Sequence, residues 1–115
     1  MPGAYRVVFY EDPRGRSQIK EWLARLGKSN SRARQRVRKL LERLAIEGTE
    51  MRPPMCKHIR GPIWELRDRS GIRLYYWQDS ERLFVVAAGE LKQRNQADQS
   101  LIEYALRAYE EWRAS

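Results

Sequence analysis

Consecutive prolines at 53 and 54 mark a change of hydrophobic period, and that change constrains the fold more than any other feature. Upstream, Ile19, Trp22, Leu23 and Leu26 recur at the spacing of a helix burying one stripe, and Ala33, Val37, Leu40, Leu41 and Leu44 do so again. Ser17 is placed to cap the first of these helices and Gly27 to stop it; Ser29 or Ser31 starts the second and Gly48 ends it. The short link between them implies an antiparallel pair. Downstream of the prolines, which exclude helix over residues 49–55, the period is two. Residues 63–68, 72–78 and 83–89 read as strands joined by tight turns, with a less secure strand near 57–59. Residues 5–10, rich in Val and aromatics, form another strand running into the turn Asp12-Pro13-Arg14-Gly15. A last helix spans 100–112, with Ser100 and Glu103 at capping-box spacing.

The order is therefore β-α-α-(β)-β-β-β-α, an α+β class with a small, mostly antiparallel sheet packed against helices. Such a sheet needs one face covered, and the three helices are the available cover. At 115 residues and 42% hydrophobic content, residues 1–115 are expected to form a single domain. The lone Cys56 allows no disulfide within the chain and reads as a small buried side chain. No run of 18 apolar residues or signal-peptide pattern is present, so a cytoplasmic protein without membrane association is expected.

Charge is unevenly placed. The formal net charge is +8, and residues 1–57 hold 14 Lys or Arg against 6 Asp or Glu, whereas residues 58–115 hold 9 of each. Seven cations fall between Lys28 and Arg43 with Glu42 as the only acid. Arg34 and Arg38 belong to this basic stripe, which suits nucleic acid, an acidic protein partner or an ordinary solvated helix face.

Hairpin register supplies a sharper argument. A three-residue turn at Arg69-Ser70-Gly71 pairs Arg67 with Arg73, Leu66 with Leu74, Glu65 with Tyr75 and Trp64 with Tyr76. Trp64, Leu66, Leu74 and Tyr76 then face the core, while Glu65, Arg67, Arg73 and Tyr75 share the other face. Facing arginines repel, so they need a carboxylate such as Glu65 or a ligand anion, and a polyanion could take both guanidiniums. Lys57, His58, Arg60, Arg69 and Arg94 add polar and basic groups around the hairpin, and Tyr75 or Trp77 could stack a base. Neither metal-ligand spacing nor a phosphate-binding glycine loop appears, so no metal or cofactor is expected. A lone His58 without a fixed partner is more often a surface residue than a general base.

The segments Y-R-V-V-F-Y-E-D-P-R-G-R-S at 5–17, K-H-I-R-G-P-I-W-E-L-R at 57–67, I-R-L-Y-Y at 72–76 and A-G-E-L-K at 88–92 resemble the phage-derived Gp49-like family, within the HigB and RelE-like toxins of type II toxin-antitoxin systems. The resemblance implies a RelE-like domain that cleaves mRNA, usually on the ribosome, without a metal, and that is restrained by a helix-turn-helix antitoxin from the same operon. It implies Arg67, Arg73 and Lys92 as catalytic residues, while Lys57, His58, Arg60, Arg69, Tyr75 and Arg94, singled out by their place around the hairpin, are the expected RNA contacts. Where such families often continue as H-G-F-x-K-K-T-x-K-T-P, this chain keeps the glycine and one lysine, lacks the histidine and second lysine, and carries Glu90 and Arg94 instead. The alternative is a non-catalytic RNA- or protein-binding member of the same fold.

Overall fold

In a computed structural model, which describes residues 4–92 and 98–115, the elements follow the expected order: β1 (Arg6–Phe9), α1 (Gln18–Ser29), α2 (Ser31–Glu47), a 3₁₀ turn (Gly48–Glu50), β2 (Cys56–Arg60), β3 (Ile63–Arg67), β4 (Ile72–Ser80), β5 (Leu83–Leu91) and α3 (Gln99–Ala114). One five-stranded sheet has the order β1-β5-β4-β3-β2. Only the β1–β5 pairing is parallel, with Arg6 opposite Leu83 and Phe9 opposite Val86; the others are antiparallel.

The helix ends show what the sequence left ambiguous. Ser17 caps α1 as expected, accepting from Lys20 N at 3.3 Å. Gly27 does not stop that helix. The next helix begins at Ser31, one of the two expected serines, but its cap is Asn30, which ends α1 by donating its backbone N–H to Leu26 O and caps α2 by accepting from Ala33 N at 3.1 Å. At α3 the cap is Asp98, whose Oδ1 takes both the backbone N–H and the hydroxyl of Ser100, so Ser100 is the first-turn donor and not the cap.

Helices cover both faces of the sheet, so the hairpin face read as lying away from the core is covered as well. On one side α1 and α2 pack Ile19, Trp22, Leu26, Val37, Leu40 and Leu44 against Leu66, Leu74, Tyr76 and Val86. On the other, α3 packs Ile102, Ala105 and Ala108 against Ile63, Tyr75, Trp77 and Val85. Tyr75 and Trp77 are therefore interior residues and cannot present their rings to a base in this conformation. Trp64 departs in the opposite direction: expected in the core, it lies near the sheet edge and is 39% exposed.

Candidate cation cluster on the sheet

The β3–β4 register is the one expected, with Arg67 opposite Arg73 and Glu65 opposite Tyr75. Asp68 builds the turn that sets it. Its Oδ1 accepts from Ser70 N, Ser70 Oγ and Ile72 N at 3.0, 2.7 and 3.1 Å. Gly71 completes the turn with φ near 103°, and a Cβ there would collide with the backbone carbonyl of Lys92. Lys92 N donates to Gly71 O at 2.8 Å, so the hairpin turn and the end of β5 are stitched together.

Alternation then brings Glu65, Arg67, Arg73, Tyr75 and Glu90 onto the face that α3 covers farther along. Arg73 lies opposite Arg67 on one side and Glu90 on the other. Arg73 Nη1 donates to Glu65 Oε2 at 3.1 Å, and both side chains are buried. Glu65 Oε1 accepts no hydrogen bond among the described residues; Arg67 Nη1 stands 3.8 Å from it. Arg67 is anchored from behind, its Nε donating to Pro54 O at 3.2 Å and its backbone N–H to Met55 O at 2.8 Å. On the other side Glu90 Oε2 accepts from the Tyr75 hydroxyl at 2.6 Å and from Asp98 N at 3.2 Å, while Lys92 Nζ stands 3.7 Å from Oε1. Burial, reinforced by that bond to Glu90, drives the Tyr75 hydroxyl far above its ordinary ionisation range, so it remains a neutral donor.

Two cations reach solvent from this buried layer: the side chains of Arg67 and Lys92 are each 33% exposed. Arg73 is the charge beneath them. Such an arrangement can receive an anion between the guanidinium and the ammonium, whose charged ends stand 3.8 and 3.7 Å from Glu65 and Glu90.

The remaining expected residues divide. Lys57 is the cross-strand partner of Glu65 and is exposed beside the cluster. His58 is the partner of Trp64 and turns to the opposite face, its ring 5.2 Å from the indole and its Nε2 2.7 Å from Gly61 O. Arg60 Nη2 donates to Gln99 Oε1 at the start of α3 at 2.7 Å, and Arg69 is exposed at the hairpin tip. Arg94 lies outside the described residues. Tyr75 serves the buried layer instead of RNA, and the stripe residues Arg34 and Arg38 are on α2, across the sheet.

Sequence reasoning missed Gln18. Its amide exchanges two hydrogen bonds with the backbone of Gly89, Nε2 to O at 2.9 Å and N to Oε1 at 2.8 Å. A side chain thus continues the edge pairing of β5 beyond the end of β1. The missing side chain of Gly89 makes room for Trp22 and Ile19 of the same helix, which a Cβ there would strike.

Among the described residues no group of three or more His, Cys, Asp or Glu is placed to hold a metal ion. None of the described helices is long and apolar enough to cross a membrane.

Residues 21–110 of the chain match the family model described as phage derived protein Gp49-like (DUF891). The chain belongs to the Gp49-like family. The match takes in β2 to β5 and therefore every described member of the cation cluster, while the Asp12–Ser17 turn that contributed to the sequence resemblance precedes it. No curated protein matches the chain. Among solved structures, a chain of the toxin-antitoxin complex RelBE2 from Mycobacterium tuberculosis is similar at 18% identity and a TM-score of 0.49, over 80% of this Gp49-like chain and 95% of that one.

Proposed function

We propose that this Gp49-like chain is the toxin component of a type II toxin-antitoxin pair, an endoribonuclease that cleaves mRNA on the ribosome without a metal ion. The partner in this reading is a helix-turn-helix antitoxin, and the compartment is the cytoplasm. The supporting observation is the pair of outward cations, Arg67 and Lys92, held over a buried Glu65–Arg73 and Tyr75–Glu90 layer. In the reaction a ribose 2′-hydroxyl gives up its proton to water and attacks the adjacent phosphorus, the P–O5′ bond breaks, the departing 5′-oxygen takes a proton from Lys92 or from water, and a 2′,3′-cyclic phosphate and a 5′-hydroxyl result.

Charge grows on the phosphate oxygens as the 2′-oxygen approaches. Arg67 donates to one of them in bidentate fashion, and Lys92 either contributes charge or delivers a proton to the departing 5′-oxygen. Arg73 raises the positive potential from below while Glu65 fixes its orientation. Lys57, Arg60 and Arg69 hold flanking phosphates, with Arg94 as a further proposed contact, while His58, turned to the opposite face, stays outside this set.

A second reading has its own support. Glu65 and Glu90 each stand within 4 Å of an outward cation, which reduces the net charge available to a phosphate. That compensation favours a binding module over a catalyst. The deciding experiment incubates the purified chain with a translated mRNA and with free RNA, then analyses the fragment ends. Cyclic-phosphate or 3′-phosphate ends support the nuclease; saturable RNA binding with no new ends supports the module.

A further inference from the structure

On the far side of the sheet from the cation cluster, α1 and α2 enclose a groove of 470 Å³. Its apolar wall is the half-buried Leu23 and Leu41, with the core residue Val37 at its floor, and Arg34, Arg38 and Gln35 line its polar side. Arg34 lies across α1 at Gly27, where a Cβ would sit 2.7 Å from its Nη1. A glycine inside a helix costs about 1 kcal/mol relative to alanine, and here it gives the arginine its berth. The surrounding charge is one-sided. Arg38 has Glu42 at 3.6 Å and Arg43 has Glu47 at 2.9 Å, whereas Arg32, Arg34, Arg36 and Lys39 have no carboxylate partner among the described residues.

We propose that this groove docks an acidic amphipathic helix of a protein partner, its apolar residues on Leu23 and Leu41 and its carboxylates against Arg34 and Arg38. Three observations favour a helix over RNA. The groove follows two antiparallel helices, and α2 alone offers about 25 Å of length, enough for several turns of a third helix. Its wall is aliphatic, and no aromatic residue lines it on which a base could stack. The cations flank an apolar strip, which matches the opposite pattern on a helix with leucines at i, i+3, i+4 and i+7. Because the groove and the Arg67–Lys92 cluster occupy opposite faces, a docked helix leaves the cluster open. The docking does not depend on RNA cleavage, and its test contains no RNA-cleavage readout.

The probe is a labelled synthetic peptide about four turns long, with leucines at that spacing and glutamates on the flanking positions. A shuffled peptide of identical composition is the comparison. Fluorescence anisotropy measures binding to the full chain, to Arg34→Glu/Arg38→Glu and to Arg107→Glu/Arg113→Glu, a reversal of equal charge on α3; thermal melts establish that each variant is folded. The patterned peptide is expected to bind, to gain helical circular dichroism on binding, and to lose about tenfold or more in affinity to the α2 variant but not to the α3 variant. Absence of binding by the patterned peptide, equal binding of the shuffled one, or equal weakening by both reversals overturns the proposal. So does a single-stranded oligouridylate whose binding is lost in the α2 variant while the patterned peptide's is unchanged, since the groove cations then serve RNA.

Discussion

Glu65 and Arg73 face each other 3.1 Å apart with both side chains withdrawn from solvent. The repulsion expected between Arg67 and Arg73 is therefore already answered inside the sheet. From sequence, replacing Arg73 by Gln relieves a repulsion and leaves the fold intact or slightly more stable; the buried pair reverses that expectation. Arg73→Gln strands the Glu65 carboxylate, and breaking a buried pair from one side costs about 3–5 kcal/mol. Glu65→Gln/Arg73→Gln removes both charges and should cost less than the sum of the two single changes. Urea unfolding of the four proteins checks this, and a stability of Arg73→Gln equal to that of the wild type contradicts it.

The outward cations behave differently. Arg67 and Lys92 are a third exposed, and their contacts with Glu65 and Glu90 are long, so Arg67→Gln or Lys92→Gln should lower stability by no more than about 1 kcal/mol. If the nuclease reading holds, each should lower the single-turnover cleavage rate by about 10²-fold at saturating RNA. Cleavage equal to wild type in both variants removes this cluster from the reaction.

Metal removal gives a third outcome. No His, Cys, Asp or Glu cluster suited to a divalent ion is present among the described residues, and the proposed chemistry runs on cations of the chain. Whatever cleavage the chain shows on free RNA, without ribosomes, should persist in excess EDTA. Loss of activity that returns on adding magnesium contradicts the proposed mechanism. Free RNA is the appropriate substrate, since the chelator also dismantles ribosomes.

Alkaline pH should weaken the fold. Burial, with hydrogen bonds to Glu90, Cys56 and Glu111 respectively, raises the ionisation of Tyr75, Tyr76 and Tyr10 well above the ordinary value of 10.0. Above pH 10 the unfolded chain releases these protons while the folded chain retains them. The unfolded state then binds fewer protons, and stability falls as pH rises. The urea midpoint should be flat in this respect below pH 10 and decline above it, and Tyr75→Phe should show a shallower decline.

The cation cluster was legible because its determinants are local. Turn length at Arg69-Ser70-Gly71 and strict alternation fix which side chains share a face, and both can be read along one strand pair. Burial of that face could not be read from the hairpin, because the cover comes from α3, distant in sequence. A signal was nonetheless present: Leu74-Tyr75-Tyr76-Trp77 is an unbroken apolar run, the mark of a strand buried on both sides, and the charged residues flanking it in β3 and β4 obscured it. Gln18 and the Tyr75–Glu90 bond depend on tertiary approach and left no periodic trace. Gly27 misled for a related reason. Its missing Cβ serves a neighbouring helix's arginine, and the backbone it belongs to continues undisturbed.

The parallel pairing of β1 with β5 has a consequence for biosynthesis. The strand Arg6–Phe9 is translated well before its sheet partner, residues 83–86. Until that partner clears the exit tunnel, Val7, Val8 and Phe9 have no ladder to join, and closing so long a loop is slow relative to forming a local hairpin. The sheet is thus completed from its far edge inward, with β2 to β4 available before β5 and β1 incorporated last. A nascent chain halted before residue 83 exposes a β-branched and aromatic segment with no native place to go, a natural target for a chaperone or protease.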